Sequence, residues 1–203
     1  MSFFLKGLLI ALVFGVPAGA IGALTIQRSI QHGFLAGLVT GLGSTVADLI
    51  YACAGVFGFT LVFDFITSYG LFFQIAGGVL VLLFGVMILR KKAVPPTGEK
   101  VGNRLVLYFL SSFSIAILNP VTIASFLLAF TTFGLEEIRS LFDGIGLLSG
   151  IFIGTVLWWI FISTLSTLFR NRITNQVYRW LNIVLGLSLT AFGIVIVLQG
   201  VLG

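Results

Sequence analysis

Charge is what this chain has least of. Only 8% of its 203 residues are Asp, Glu, Lys or Arg, against roughly 25% in soluble domains. So few charged side chains cannot cover a water-exposed surface. A single cysteine, Cys53, and a single histidine, His32, exclude an intrachain disulfide, a dithiol pair and histidine-based metal chemistry. No nucleophile–base pair, zinc motif, phosphate-cradling loop or nucleotide fingerprint is present. The expectation is a protein that is not an enzyme, carries no cofactor and has no ATPase of its own. What fills the space is hydrocarbon: 59% of the residues are hydrophobic and the mean hydropathy is +1.20. The chain reads as an integral membrane protein whose surroundings are the lipid bilayer. Its net charge of +5 falls at the ends of apolar runs rather than on one face, which is not a nucleic-acid footprint.

Apolar runs near 20 residues mark spanning helices. Six are expected, over 3–26, 34–57, 71–89, 105–130, 145–168 and 181–198. A polar turn from Gln27 to Gly33 separates the first two. The one linker-like stretch, Arg90 to Arg104 with Pro95-Pro96, falls at the centre of the chain. The opening of the sequence also has the outline of a leader, with Lys6, an apolar run and Ala18-Gly19-Ala20. Its match to a later span argues instead for a retained helix.

The two sides of the linker correspond. Moved by 108 residues, the third span lays Gln74 on Asn182, Gly78 on Gly186, Phe84 on Phe192 and Gly85 on Gly193. Moved by 103, the first span lays Pro17 on Pro120. Gly37 and Gly41 correspond to Gly150 and Gly154, each pair a Gly-x-x-x-Gly. Matches in order around one linker indicate duplication. With three spans in each half, the second copy enters the membrane from the opposite side. The expected fold is therefore all-α and polytopic, one transmembrane domain of two inverted three-helix repeats (1–92 and 104–203) joined by a cytoplasmic linker over 93–103. Nine basic residues, from Arg28 through the linker to Arg179, fall on one side of the membrane. Only Lys6 and Arg139 fall on the other. The positive-inside rule then places both termini outside.

A proline within a span removes a backbone donor and frees carbonyls one turn earlier, which hydrocarbon tolerates only where they face protein or a watery cavity. Matched breaks in two halves point to a transport site. Pro17 stands between Gly15, Gly19 and Gly22, and the ten residues from Pro17 to Gln27 make about 15 Å of helix, half a bilayer. The helix resuming after Pro17 offers free N–H groups to an anion. In the second half Asn119 adjoins Pro120, with hydroxyls from Thr122 and Ser125 in the next turn. Either breaks bind solute or they are kinks that fit helices together. Asp48 is the only acidic residue inside an expected span, at a cost of about 2.5–3.5 kcal/mol on insertion scales. It either exchanges a proton for a cation or bonds a neighbouring helix. Gln74 and Asn182 either line a path or bond between helices. Trp158 and Trp159 are expected to pack. Tyr178 and Trp180 read as an interfacial anchor, and Gly37/Gly41 as a packing face within the chain or between two copies in a homodimer.

These residues together resemble the LysE/RhtB superfamily of lysine and homoserine/threonine exporters. The likeness is carried by Val16-Pro17-Ala18-Gly19-Ala20, by Gly33-Phe34-Leu35-Ala36-Gly37, by Gly41-Leu42-Gly43 through Ala47-Asp48, and by Leu118-Asn119-Pro120. It implies a bacterial inner-membrane secondary exporter of amino acids or similar metabolites, driven by proton antiport. Pro17, Gly19, Asn119, Pro120 and Thr122 would hold substrate and Asp48 would couple the ion. The chain departs from the pattern where the family has a second proline (here Gly19-Ala20) and where many members follow Asn-Pro with lysine (here Val121). No particular substrate, lysine included, is carried over. The rival readings are export of a metal cation, for which intramembrane ligands are scarce, electron relay through paired cysteines, which Cys53 alone does not provide, and a non-transporting scaffold.

Overall fold

A computed structural model describes residues 2–14, 20–56, 69–90, 104–119, 140–170 and 175–202, with 122, 125, 126, 129, 132, 133 and 138 between them. Among these residues there are seven α-helices: α1 (Phe3–Phe14), α2 (Ala20–His32), α3 (Phe34–Val56), α4 (Gly70–Arg90), α5 (Arg104–Ile117), α6 (Leu141–Phe169) and α7 (Asn175–Leu202). The expected first span is two helices, α1 and α2, on either side of 15–19. Helices α3, α6 and the 182–201 part of α7 are each long and apolar enough to cross a membrane; α1, α4 and α5 contain shorter apolar helices. Leu, Phe, Ile and Val side chains remain exposed along α4, α6 and α7, as expected of helices whose outer faces meet lipid.

The polar turn expected from Gln27 to Gly33 is corrected. Helix α2 continues through His32 and the turn contracts to Gly33, whose φ of 88° lies in the left-handed region open to glycine. The Gly33 N–H donates to the Ser29 carbonyl at 2.9 Å, closing the last turn of α2, while the Gly33 carbonyl accepts from Ala36 N–H at 3.1 Å to start α3. Gln27 and Arg28 remain helical here because their side chains find partners elsewhere in the bundle. At the start of α6, the Ser140 hydroxyl accepts from Asp143 N–H at 3.1 Å, a side-chain cap from a residue with extended backbone.

Glycines set how the helices approach. A methyl built on Gly78 would stand 3.2 Å from the Gly193 carbonyl oxygen, and one on Gly193 would stand 2.8 Å from that of Gly78. Gly85 and Gly186 face each other likewise, at 3.0 and 3.1 Å. Helices α4 and α7 therefore run antiparallel in close contact. Gly7, Gly150 and Gly154 seat α1 parallel to α6, and Gly43 seats α3 parallel to α5 against Ser112 and Phe113. Gly37 and Gly41 face Ser163 and Trp159 of α6 in antiparallel register. This glycine pair is thus taken up within the chain.

Two buried clusters organise the interior. One joins Ile10 of α1, Tyr51 and Ala52 of α3, Leu147 and Ile151 of α6, and Phe126 and Ala129. The other joins Ala20, Ala23 and Leu24 of α2 with Val81 and Ile88 of α4, Ile115 of α5 and Leu189 of α7.

Candidate functional site

The clusters cross-pair the flanks of the two proline segments. Ile10, ahead of Pro17, packs with Phe126 and Ala129, which follow Pro120. Ile115, ahead of Pro120, packs with Ala20, which follows Pro17. Pro17, Gly19 and Pro120 themselves lie outside the described residues. Asn119 does not. It follows the end of α5 without helical geometry, donating its N–H to the Ala116 carbonyl at 3.2 Å and accepting from Thr122 N–H at 3.1 Å. Thr122 is half-buried, so both residues sit at the turn where α5 gives way. Gly77 of α4 lies directly against the Leu118 carbonyl. The missing Cβ lets a third helix reach the backbone beside Asn119.

Asp48 projects from α3 with 7% of its surface exposed. Tyr51, one turn on, is 2% exposed and packs its ring 6.1 Å from Phe126. Its hydroxyl donates to the Ile117 carbonyl, at the last residue of α5. The phenol pairs a carbonyl at the C-terminal end of α5. Tyr51 thus ties the Asp48 face of α3 to the backbone leading into Asn119. Sequence reasoning missed it, although its i+3 spacing from Asp48 was the available signal. Tyr51→Phe removes that hydrogen bond from the interior, at about 0.5–1.5 kcal/mol. Thermal unfolding of the purified variant should shift down by several degrees with the helical content unchanged.

Arg28, counted from the sequence among the basic residues of the cytoplasmic side, is buried, with 7% of its surface exposed. It lies two residues beyond the apolar run that ends at Ile26. One Nη donates to the Thr40 hydroxyl at 3.1 Å and to the Tyr108 carbonyl at 3.0 Å. The other donates to the Ser111 hydroxyl at 2.8 Å, and the guanidinium stands 4.5 Å over the Tyr108 ring. Burial pulls its pKa down to about 10, with Tyr108 opposing the shift, so it stays charged at neutral pH. It clamps α2, α3 and α5 together. The Ser112 hydroxyl reinforces this by donating to the Thr40 carbonyl at 2.5 Å.

The matched polar pair bonds between helices. Gln74 Nε2 donates to the Ile196 carbonyl at 3.3 Å, and Asn182 Oδ1 accepts from Gln27 Nε2 at 3.1 Å. Trp159 is buried against Gly41, and Trp158 packs on Phe161 with ring centroids 5.8 Å apart. Trp180 is exposed, and the Tyr178 side chain lies outside the described residues. No group of three or more His, Cys, Asp or Glu able to hold a metal comes together among the described residues.

Comparison with known proteins places this geometry in context. A family model described as LysE type translocator matches residues 12–200. YcgF of Bacillus subtilis (strain 168), which carries the provisional name of an amino acid efflux protein, is 27% identical over 212 residues, covering 99% of this chain and 98% of its own. YahN of Escherichia coli (strain K12), named an uncharacterized membrane protein, is 23% identical over 90% of this chain and 83% of its own. ChpE of Pseudomonas aeruginosa, named a chemotactic transduction protein, is 28% identical over 59% of each chain. No solved structure matches.

Proposed function

The chain belongs to the LysE type translocator family, and on that premise we propose that it is a secondary active exporter of an amino acid or similar small metabolite, working by proton antiport across the bacterial inner membrane. One observation carries the reading. A buried aspartate on α3 stands one turn from a tyrosine bonded to the backbone ahead of Asn119, where the flanks of both proline segments cross-pair in the interior.

In this mechanism the half-helix ends at Pro17-Gly19 and Asn119-Pro120, with the Thr122 hydroxyl, hold the substrate carboxylate. Asp48 alternates between a proton and the substrate ammonium. The two cannot share it, so release of one is tied to uptake of the other. Rocking of one three-helix half against the other exposes the site to each side in turn.

Inverted repeats are supported by the reciprocal glycine contacts of α4 and α7. Gly78 meets Gly193 and Gly85 meets Gly186. Under the 108-residue correspondence this is the pattern of a two-fold axis, in which residue i meets j and j meets i. Parallel packing of α1 on α6 and of α3 on α5 fits the same exchange. Six spans follow from the apolar runs and both termini outside from the charge asymmetry, and a homodimer would need a face other than Gly37/Gly41.

Counterflow tests the function. Purified protein in lipid vesicles preloaded with each of the twenty common amino acids in turn should draw in the labelled form of at least one, transiently above its external concentration. Flux indistinguishable from protein-free vesicles for every amino acid would remove amino acids as the cargo.

A further inference from the structure

Of six buried side-chain polar atoms that find no hydrogen-bond partner among the described residues, four lie on two adjacent helices that flank the same face of α3. They are Thr25 Oγ1 and Ser29 Oγ on α2, and Trp159 Nε1 and Ser163 Oγ on α6. Thr25, Ser29 and Ser163 are fully hidden and Trp159 is 4% exposed. The spacing on each helix is four residues, one turn, and the facing residues of α3 are Gly37 and Gly41, also one turn apart. A methyl on Gly37 would run into the Ser29 hydroxyl and stand 2.8 Å from that of Ser163, while one on Gly41 would stand 2.6 Å from Trp159 Cβ. The three helices thus meet in two stacked layers: Ser29, Gly37 and Ser163, then Thr25, Gly41 and Trp159.

The antiparallel register of α3 and α6 extends these layers. One turn further, Thr45 comes level with Thr155, whose hydroxyls donate to the Gly41 and Ile151 carbonyls of their own helices. The next turn brings in Asp48. From Gly37 to Asp48 is eleven residues, about 16 Å along the helix, on one face of α3. At the opposite end the seam reaches the α2–α3 turn, where Gly33 lies near the Arg170 guanidinium. The titratable groups along the seam are Asp48 and Tyr51 at one end and Arg170 near Gly33 at the other, while Arg28 and His32 turn toward Tyr108 of α5.

A packing seam of small residues needs no unpaired hydroxyls, because each buried polar atom without a partner is a net cost. Alanine at 29 and 163 would fill the same space without it. Groups left unpaired in one state are satisfied in another, by water or a transported solute. We propose that the α2–α3–α6 seam is the hydrated route by which a proton reaches Asp48 from the Gly33 end, closed here at the Ser29–Gly37–Ser163 layer. The proposal rests on Asp48 being the coupling carboxylate. Hydroxyls accept one hydrogen bond and donate another, so with intervening waters they pass a proton along, each giving one up as it takes one. The indole N–H only donates and so orients water rather than relaying. The net result is one proton delivered to the Asp48 carboxylate and none retained by the path.

Thiol labelling tests the route without knowledge of the cargo. In a Cys53→Ala background, Thr25→Cys, Ser29→Cys and Ser163→Cys are reconstituted in lipid vesicles and exposed to 2-aminoethyl methanethiosulfonate. Leu157→Cys, on the exposed face of α6, is the control in lipid. The three seam thiols should react at least about tenfold faster than the control, since the thiolate is the reactive form and apolar surroundings suppress it. Rates at or below the control, or a reactive Ser29→Cys with an inert Thr25→Cys, would overturn the route. The double variant S29A/S163A separates route from packing. Its melting temperature should hold or rise, and counterflow should stay within about twofold, while proton-driven accumulation falls about tenfold. Unchanged accumulation would reduce the seam to a structural contact. Absence of counterflow in the unsubstituted protein would instead count against the amino acid reading, leaving the labelling result to stand by itself.

Discussion

Asp48→Asn is expected to bring proton-driven accumulation of substrate down to equilibrium, an inside-to-outside ratio of about one. Coupling is a free energy shared between two ligands, and each tenfold of accumulation needs about 1.4 kcal/mol of it. An amide binds no proton between pH 4 and 10, so it contributes none. The substitution is nearly isosteric, so the variant should elute as the parent does in gel filtration and keep its helical circular dichroism. Asp48→Glu restores the carboxyl group one methylene further out and should recover part of the accumulation. Full uphill transport by Asp48→Asn, measured in vesicles under an imposed pH gradient, would remove Asp48 from the coupling role. Loss of folding in Asp48→Asn, with Asp48→Glu also unfolded, would make it a structural bond between helices.

Gly150→Val should have the largest effect on assembly. A methyl at 150 would collide with the Phe4 carbonyl and stand 3.0 Å from Leu8 N. Both are backbone atoms of α1 and cannot swing aside as a side chain tip does. Inserting volume into a packed interior costs typically about 1–3 kcal/mol. In a membrane the cost falls on a pair of helices whose contact depends on small residues. Separating α1 from α6 also strips Ile10 from its cluster. The purified yield should collapse, or the melting temperature fall by about 10 °C or more, as read by fluorescence-detected gel filtration after heating. Gly146→Ala is the control on the same helix face. Its nearest neighbours, Phe4 N and Phe3 Cβ, would lie at 3.6 and 3.7 Å, ordinary contact, and it should melt as the parent does.

Much of the helical layout could be read from the sequence, because lipid leaves a spanning chain few alternatives to the helix. The apolar runs anticipated α3, α4, α6 and α7 to within a few residues at most ends. The corresponding glycines of the third and sixth spans are, in the sequence, only a sign of duplication, and these two helices meet through them. What could not be read is which faces meet. Gly37/Gly41 and Gly150/Gly154 are equivalent motifs, yet the first pair receives α6 and α2 and the second receives α1. The continuation of α2 through Gln27 and Arg28 was hidden for a related reason. Their partners, Asn182 and Ser111, lie 155 and 83 residues away, so local polarity read as a turn. Arg28 as a buried clamp and Tyr51 as a tie to Ile117 likewise depend on contacts 83 and 66 residues apart. Asn119 and Thr122 are singled out by the adjacent proline, and the structure places both where α5 gives way. For Pro17, Gly19 and Pro120 the sequence argument stands by itself.

Simultaneous recording of both fluxes in the same vesicles tests the central claim most directly. Vesicles holding the protein, a transported amino acid and a trapped pH-sensitive dye are diluted into buffer free of that amino acid. Outward movement of the amino acid should acidify the lumen as protons enter in exchange, and Asp48→Asn should abolish the acidification. Amino acid efflux with no change in lumenal pH, or equal acidification by the Asp48→Asn protein, would contradict it.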